Sequence, residues 1–184
     1  MSISEINLNN LYSREIVPKL KQEFGYTNNL AVPRLVKVVL NVGLSQSSKD
    51  AKLQEVAVKT LTRIAGQKPV TTKARKSISN FKIRQGMVVG AMVTLRGKRM
   101  YDFIGKLVNI TLPRVRDFRG LPTKSVDAKG NLSIGFHEHM VFPEIRSDEL
   151  ENIHGLEMAI VTTAATQKEG KRLFELLGFP FSKN

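Results

Sequence analysis

The sequence predicts an α+β fold of two layers, in which a largely antiparallel sheet carries helices packed on one face. Apolar residues recur at helical spacing in four segments, and short runs rich in β-branched residues lie between them. In chain order these segments give helix, strand, helix, strand, strand, helix, strand, short helix, strand and helix. This mixed order indicates the α+β class.

The first helix and the first strand are predicted at residues 8–24 and 35–42. Leu, Ile and Phe recur at helical spacing in the first of these segments, and Pro18 is expected to weaken or kink the helix. The second segment is apolar and β-branched, as in a strand.

A second helix and two strands are predicted next. Ser47 and Ser48 can cap this helix, and Gly66 is a natural left-handed stop at its other end. The two strands are predicted at residues 70–74 and 87–96.

The rest of the chain is predicted to hold two well-patterned helices, two strands and a short helix. Residues 98–112 are amphipathic and end before Pro113. The last helix begins with Thr166 and Glu169, which have capping-box spacing, and stops at Gly178. The remaining elements are a strand, a short helix and a strand at residues 132–138, 147–153 and 158–163.

The charge of the chain is strongly positive and unevenly placed. Lys and Arg number 29 against 16 Asp and Glu, for a net charge of +13. Residues 56–101 contain no acid, whereas acids crowd into residues 138–157. A basic chain attracts polyanions, either nucleic acid or an anionic membrane, and the reversal of charge indicates two kinds of partner surface.

Each predicted strand offers one apolar row for the helices and one mixed row, because side chains alternate along a strand. Asn41 and Thr94 lie on the mixed rows. These rows either face water, as antiparallel sheets often do, or make a platform for RNA. They carry no aromatic residue, so shape, hydroxyl and phosphate contacts are expected on such a platform rather than base stacking.

The densest basic stretch is a predicted protruding loop at about residues 74–86, within a single domain that spans residues 1–184. Its cations neutralise phosphates, its Ser and Asn residues donate hydrogen bonds, and an exposed Phe can rest on a base or sugar. The alternative is a solvated charged loop, but no acid lies nearby to balance the charge.

Motifs for catalysis or cofactor binding are not found. There is no phosphate-binding loop of the Gly-Lys-Ser type and no dinucleotide fingerprint. His137 and His139 would share a face of a strand, but without a clear third ligand they are a weak metal signal. Acids such as Asp148 and Glu149 could hold magnesium for a nuclease, or they could mark a solvated helix start. The sequence therefore predicts no enzyme, no cofactor and no metal, with a magnesium-dependent nuclease as an alternative.

A membrane-bound protein is the other alternative. No run reaches the roughly 18 apolar residues that span a bilayer, and the first residues do not have the pattern of a signal peptide. The chain also lacks a basic amphipathic helix with exposed large apolar residues, the usual peripheral anchor. A cytoplasmic location is expected.

Four segments carry a family resemblance. They are VPRLVKVVLNVG at residues 32–43, AGQKPVTTKARKSISNFKIRQGM at 65–87, LPRVRDFRGL at 112–121 and LLGFPF at 176–181. Together they resemble the bacterial large-subunit ribosomal protein family that is numbered five in its series and binds 5S ribosomal RNA. The resemblance covers nearly the whole chain.

The resemblance implies an α+β domain with a concave sheet face, a structural role and no catalysis. At matching positions it implies that Asn41, Gln67 and Thr94 contact 5S ribosomal RNA. The rRNA-binding set that we predict is Asn41, Gln67, Thr94, Lys37, Lys68 and Arg96. The basic loop resembles the family's finger toward the elbow of the P-site transfer RNA. The tRNA-binding set is Lys73, Arg75, Lys76, Ser77, Ser79, Asn80, Phe81, Lys82 and Arg84.

Further partners follow from the same resemblance. It implies a place in the central protuberance of the ribosome, beside 23S ribosomal RNA and neighbouring large-subunit proteins, and contact with a small-subunit protein across an intersubunit bridge. We predict that the acids Glu144, Asp148, Glu149 and Glu151 face that basic partner. Neither a homo-oligomer nor a membrane partner is expected.

Overall fold

The computed structural model describes residues 8–44, 51–145 and 153–182. Its strands are β1 (Leu35–Gly43), β2 (Val70–Lys73), β3 (Val88–Leu95), β4 (Leu132–Phe136) and β5 (Leu156–Thr162). Its α-helices are α1 (Leu8–Leu11), α2 (Val17–Phe24), α3 (Ala51–Ala65), α4 (Gly97–Lys106) and α5 (Gln167–Leu176). The predicted α+β class is confirmed. The predicted caps Ser47 and Ser48 and nearly all of the predicted helix at 147–153 lie outside the described residues.

The five strands form one largely antiparallel sheet in the order β2-β3-β1-β5-β4. Alternate residues are buried along each central strand, because side chains point to opposite faces. On β1, for example, Val38, Leu40 and Val42 are fully buried while Lys37 and Asn41 are half-buried. The predicted division of the strands into an apolar row and a mixed row is therefore confirmed.

The predicted helix at residues 8–24 contains a wider turn. Between α1 and α2, the residues Tyr12–Ile16 form a π-helical turn, and the Val17 N–H donates to the Tyr12 carbonyl. Pro18 explains it, since proline has no N–H and its ring pushes against the carbonyl four residues earlier. The same arrangement ends α4, where the π-helical turn Leu107–Thr111 precedes Pro113.

The last helix begins as its sequence predicts. The Thr166 side chain accepts from the Glu169 N–H, and the Glu169 carboxylate accepts from the Thr166 N–H, which completes a capping box. The side of α5 that holds Gly170 packs closely against Gly130, because a Cβ at Gly170 would collide with the Gly130 Cα. Only glycine fits this contact.

Contacts within the chain define two compact units. The first unit comprises Met1–Val38, Leu95–Ile134 and Ala159–Asn184, and the second comprises Val39–Thr94 and Gly135–Met158. Leu20, Ile104 and Phe174 lie in the core of the first unit, and Leu61 and Phe142 lie in that of the second. The single domain expected from sequence stays a prediction.

Within the described ranges, no helix has the length and apolar character needed to cross a membrane.

Candidate nucleic-acid interface

The mixed row of the sheet is accessible in the second unit. Asn41 on β1 is half-buried there, and its Nδ2 donates to the Glu157 Oε2 on the adjacent strand at 3.5 Å. A carboxylate at neutral pH only accepts hydrogen bonds, so the amide nitrogen of Asn41 must face Glu157. The Asn41 Oδ1 then points the other way, as an acceptor for an incoming donor.

Gln67 and Thr94 are brought together although they are far apart in sequence. Gly66 ends α3 at φ +62°, with its N–H bonded to the Thr62 carbonyl at 2.9 Å. The next residue, Gln67, is half-buried, and its Nε2 donates to the Thr94 carbonyl at 3.3 Å. The helix end therefore positions the Gln67 amide next to the last residue that β3 contributes to this unit.

An apolar pair lies on the same row of the sheet. Val70 on β2 is directly opposite Met92 on β3, and opposed residues of an antiparallel pair share a face. Val70 is 67% exposed and Met92 37%. We call the row formed by Asn41, Val70, Met92, Thr94 and Glu157 the open face. Sequence analysis did not single out this pair, because the sequence does not show that β2 pairs with β3.

Gly90 keeps the strands of the second unit close together. A Cβ at this position would lie 2.6 Å from the Val42 carbonyl oxygen and 2.9 Å from the Thr72 Oγ1. A side chain here would force β1, β2 or both away from β3. Gly90 therefore maintains the spacing of the strands that bear Asn41, Val70 and Met92.

The predicted basic members of the rRNA-binding set divide between the units. Lys68 follows Gln67 and is exposed in the second unit, with Asn41, Gln67 and Thr94. Lys37, which is half-buried, and Arg96, which is exposed, belong to the first unit. The structure thus brings together four of the six predicted residues within one unit.

The predicted basic loop is a closed hairpin. Ile78 and Ile83 exchange two backbone hydrogen bonds of 2.9 and 3.1 Å, and the Lys82 N–H donates to the Ser79 carbonyl at 2.9 Å. At its base, the Ala74 N–H donates to the Met87 carbonyl at 2.8 Å. Sequence analysis predicted a protruding loop and not this pairing, which involves only one residue on each side and leaves no strand pattern in the sequence. We call residues 73–87 the basic hairpin.

The hairpin presents its polar and cationic side chains to solvent. All nine residues of the predicted tRNA-binding set are exposed: Lys73, Arg75, Lys76, Ser77, Ser79, Asn80, Phe81, Lys82 and Arg84. Phe81 is 68% exposed, an uncommon position for a large aromatic ring. Across the part of the chain that the structure describes, no acid forms an ion pair with the hairpin cations. The whole predicted tRNA-binding set therefore lies on one accessible element.

The acidic segment is described only in part. Glu144 is half-buried, and its Oε2 is shielded from solvent. Asp148, Glu149 and Glu151 lie outside the described residues. The proposed orientation of these acids toward a partner therefore stays a prediction.

Two histidines meet at the ends of the segment that carries these acids. The ring of His139, which is buried, stacks on His154 with centroids 4.1 Å apart, and the His139 Nδ1 lies 3.3 Å from the His154 backbone nitrogen. Burial, and then the neighbouring His139, lowers the pKa of His154. The idea that His137 and His139 share a strand face is wrong, because β4 ends at Phe136 and His139 begins a 3₁₀ turn.

No group of three or more His, Cys, Asp or Glu among the described residues could hold a metal ion.

Comparisons with known proteins match the chain along most of its length. Residues 28–84 match a family model described as "Ribosomal protein L5", and residues 88–181 match the model that describes the C-terminus of the same family. The two matches together include the open face and residues 73–84 of the basic hairpin.

Similar curated proteins are named large ribosomal subunit protein uL5. The relative from Fervidobacterium nodosum is 55% identical over 183 residues, which cover 100% of both chains. The one from Halothermothrix orenii is 55% identical over 172 residues, covering 94% of this chain and 96% of the relative. The one from Desulforapulum autotrophicum is 56% identical over 174 residues, covering 95% and 97%.

Proposed function

Because the chain belongs to the ribosomal protein L5 family, we propose that it binds 5S ribosomal RNA on the open face and anchors that RNA in the central protuberance. Family membership makes the chain a structural constituent of the large ribosomal subunit and not an enzyme. Its location is accordingly the ribosome.

The main support for this proposal is the set of polar groups on and beside the open face. Asn41 directs an acceptor outward, and the Gln67 amide is bonded next to Thr94. Such groups suit the hydroxyl and base edges of the shallow minor groove of an RNA helix. Val70 and Met92 add an apolar surface that can cover a sugar. The open face thus supplies shape and polar contacts, and Lys68 is the predicted rRNA-binding cation of the same unit.

The basic hairpin is the proposed contact with the P-site transfer RNA. Its exposed cations attract phosphates, its hydroxyl and amide groups can donate to them, and the exposed Phe81 ring offers a surface for a base or ribose. The backbone hydrogen bonds at its base and tip fix the course of the chain that bears these groups. This lowers the entropy cost of binding.

The acidic segment is the proposed contact with a basic small-subunit protein across an intersubunit bridge. The reversal of charge between residues 56–101 and residues 138–157 motivates it. Opposite charge steers association and selects the partner. Replacing Glu144, Asp148, Glu149 and Glu151 by Lys is expected to weaken association of the subunits in sedimentation runs. Unchanged association at several salt concentrations would rule this contact out.

A filter-binding titration tests the central proposal. The purified protein is titrated with 5S ribosomal RNA, transfer RNA and a scrambled RNA of equal length at several salt concentrations. A preference for 5S RNA that persists at physiological salt supports the open face as a specific site. Equal binding of all three RNAs, with release together as salt rises, would leave only non-specific attraction to phosphates.

A further inference from the structure

The basic hairpin contains a single sulfur atom, that of Met87, and the chain has no cysteine. Oxidants that attack protein sulfur can therefore act on this chain only at its six methionines. Met87 is half-buried and borders an open cavity in the hairpin, so small molecules in the solvent can reach its side chain. The cavity is lined by Ser77, Ser79, Lys82, Ile83, Arg84 and Met87.

The Met87 sulfur takes part in the turn at the base of the hairpin. The Arg84 backbone N–H donates to the Met87 Sδ at 3.1 Å, and the Met87 N–H donates to the Arg84 carbonyl at 3.2 Å. The Met87 carbonyl in turn accepts from the Ala74 N–H at 2.8 Å, on the other side of the hairpin. The thioether therefore helps to fix the backbone that bears Arg84, which belongs to the predicted tRNA-binding set.

The described methionines differ in how easily an oxidant can reach them. Met100 and Met158 are each 2% exposed, so the protein interior protects both sulfur atoms. Met140 is half-buried, and Met92 is 37% exposed on the open face. Met87 is thus one of three accessible methionines in the described part of the chain, and it is the one that lies in the basic hairpin.

We propose that Met87 is a site of reversible oxidation, at which a peroxide converts the thioether to a sulfoxide and thereby weakens the contact of the basic hairpin with transfer RNA. This inference rests on the proposed function of the hairpin. It adds regulation to that contact, since oxidising conditions lower the affinity and a sulfoxide reductase restores it.

The modification is a two-electron transfer of one oxygen atom. A lone pair of the Met87 sulfur attacks one oxygen of hydrogen peroxide, so that an S–O bond forms while the O–O bond breaks. The departing hydroxide takes the proton from the oxygen that is now bonded to sulfur, and it leaves as water. Sulfur is oxidised by two electrons and the peroxide is reduced by two.

The sulfoxide alters the turn because its hydrogen-bond acceptor is in a different place. In the thioether the sulfur itself accepts from the Arg84 N–H, whereas in the sulfoxide the added oxygen is the stronger acceptor. The Arg84 N–H then either follows that oxygen, which moves the backbone, or loses its partner. The new polar group also disturbs the contact of the side chain with the apolar Ile83 in the same cavity. Both effects displace Arg84.

The test uses the full-length protein treated with hydrogen peroxide. Peptide mass spectrometry measures the sulfoxide at each methionine. Part of the sample is then treated with the two methionine sulfoxide reductases, which together reduce both epimers. Filter binding to transfer RNA and amide hydrogen exchange across residues 73–87 are measured on untreated, oxidised and repaired protein. The exchange measurement needs no RNA, so it reports on the turn independently of the proposed function.

Three variants separate Met87 from the other methionines, and each is compared with its own untreated form. Met87→Leu has no sulfur at this position and nearly conserves the volume of the side chain. Met92→Leu is the matched control, because it removes an accessible methionine outside the hairpin and keeps Met87. Met87→Gln introduces a polar group of similar length without any oxidant. Thermal unfolding shows whether each variant is folded.

Peroxide is expected to oxidise Met87 and Met92 while Met100 and Met158 stay reduced. Oxidised wild type and oxidised Met92→Leu should bind transfer RNA roughly two- to tenfold more weakly, as for the loss of one hydrogen bond. Exchange at the Arg84 amide should become faster, and the reductases should reverse both changes. Met87→Leu should keep its affinity after peroxide, and Met87→Gln should show the loss without peroxide.

Three results would overturn the proposal: a Met87 that stays reduced while Met92 is oxidised, unchanged affinity and exchange despite full oxidation of Met87, or an equal loss of affinity when Met87→Leu is treated. A different result would concern the proposed function alone. If oxidation speeds exchange at Arg84 but the untreated protein does not bind transfer RNA, the role of the hairpin fails while the oxidation site stands.

Discussion

Replacing Asn41 by Ala should weaken 5S RNA binding without weakening the fold. The hydrogen bond from the Asn41 side chain to Glu157 is 3.5 Å long, which is at the limit for such a bond. Its loss should therefore change the free energy of unfolding by less than about 1 kcal/mol. The binding free energy should change more, because the Asn41 Oδ1 faces away from Glu157 and is the acceptor that we propose for 5S RNA.

The size of the binding effect follows from burial of the RNA partner. In the complex of the Asn41→Ala variant, the RNA donor that would bond to the Asn41 Oδ1 is covered by the open face. It then has neither a water molecule nor a protein group as its hydrogen-bond partner. An unsatisfied polar group in such a site costs about 1–3 kcal/mol. The dissociation constant for 5S RNA should accordingly rise roughly 5- to 150-fold.

Filter binding at one fixed salt concentration measures this change, and urea unfolding measures the stability of the same protein. Asn109→Ala is a matched control, since Asn109 is an exposed asparagine of the first unit with a local bond from its Nδ2 to the Gly105 carbonyl. The reasoning is refuted if Asn41→Ala binds 5S RNA as tightly as the wild type, or if Asn109→Ala loses as much affinity.

Three other predictions follow from the structure. Phe81→Ala should weaken transfer RNA binding by about 1–3 kcal/mol and leave 5S binding unchanged in parallel titrations, since one stacking surface is lost. Gly90→Ala should lower the free energy of unfolding by about 1–3 kcal/mol in urea, because its Cβ would lie 2.6 Å from the Val42 oxygen; unchanged stability would contradict the close strand spacing. The lowered pKa of His154 means that the unfolded chain binds more protons below about pH 6.5, so stability should fall as pH decreases from there. His154→Gln should reduce this loss in urea unfolding at pH 7.5 and 5.5, and an equal loss would exclude His154 as its source.

Local sequence signals predicted most of the fold. The capping pair Thr166 and Glu169 marked the start of α5, and Gly66 marked the end of α3, because each signal depends on neighbours in the chain. Alternation of apolar residues also identified the buried row of β1. The helical spacing of apolar residues did not predict the π-helical turns that precede Pro18 and Pro113.

The candidate site depended more on the structure. Gln67 and Thr94 are joined across 27 positions, and the exposed pair of Val70 and Met92 exists only in one register of β2 against β3. Periodicity within a segment carries no information on which strands are neighbours. The family resemblance, rather than the pattern, therefore singled out Asn41, Gln67 and Thr94, and the structure shows the bonds around them.

Salt dependence should separate the two kinds of surface that this chain presents. If the open face binds 5S RNA as proposed, the polar contact of Asn41 releases no counterion, so Asn41→Ala should shift affinity for 5S RNA equally at every salt concentration. The proposed contact of the basic hairpin with transfer RNA depends on charge instead. Arg75→Gln with Lys76→Gln should lower the slope of log K against log salt for transfer RNA by roughly 1.4 to 1.8, if both cations meet phosphates. Titrations of both variants with both RNAs across the same salt series measure these effects. Two results would contradict this distinction. A change of slope for Asn41→Ala would show that its contact on the open face involves phosphates, and an unchanged slope for the hairpin variant would show that Arg75 and Lys76 do not contact phosphates.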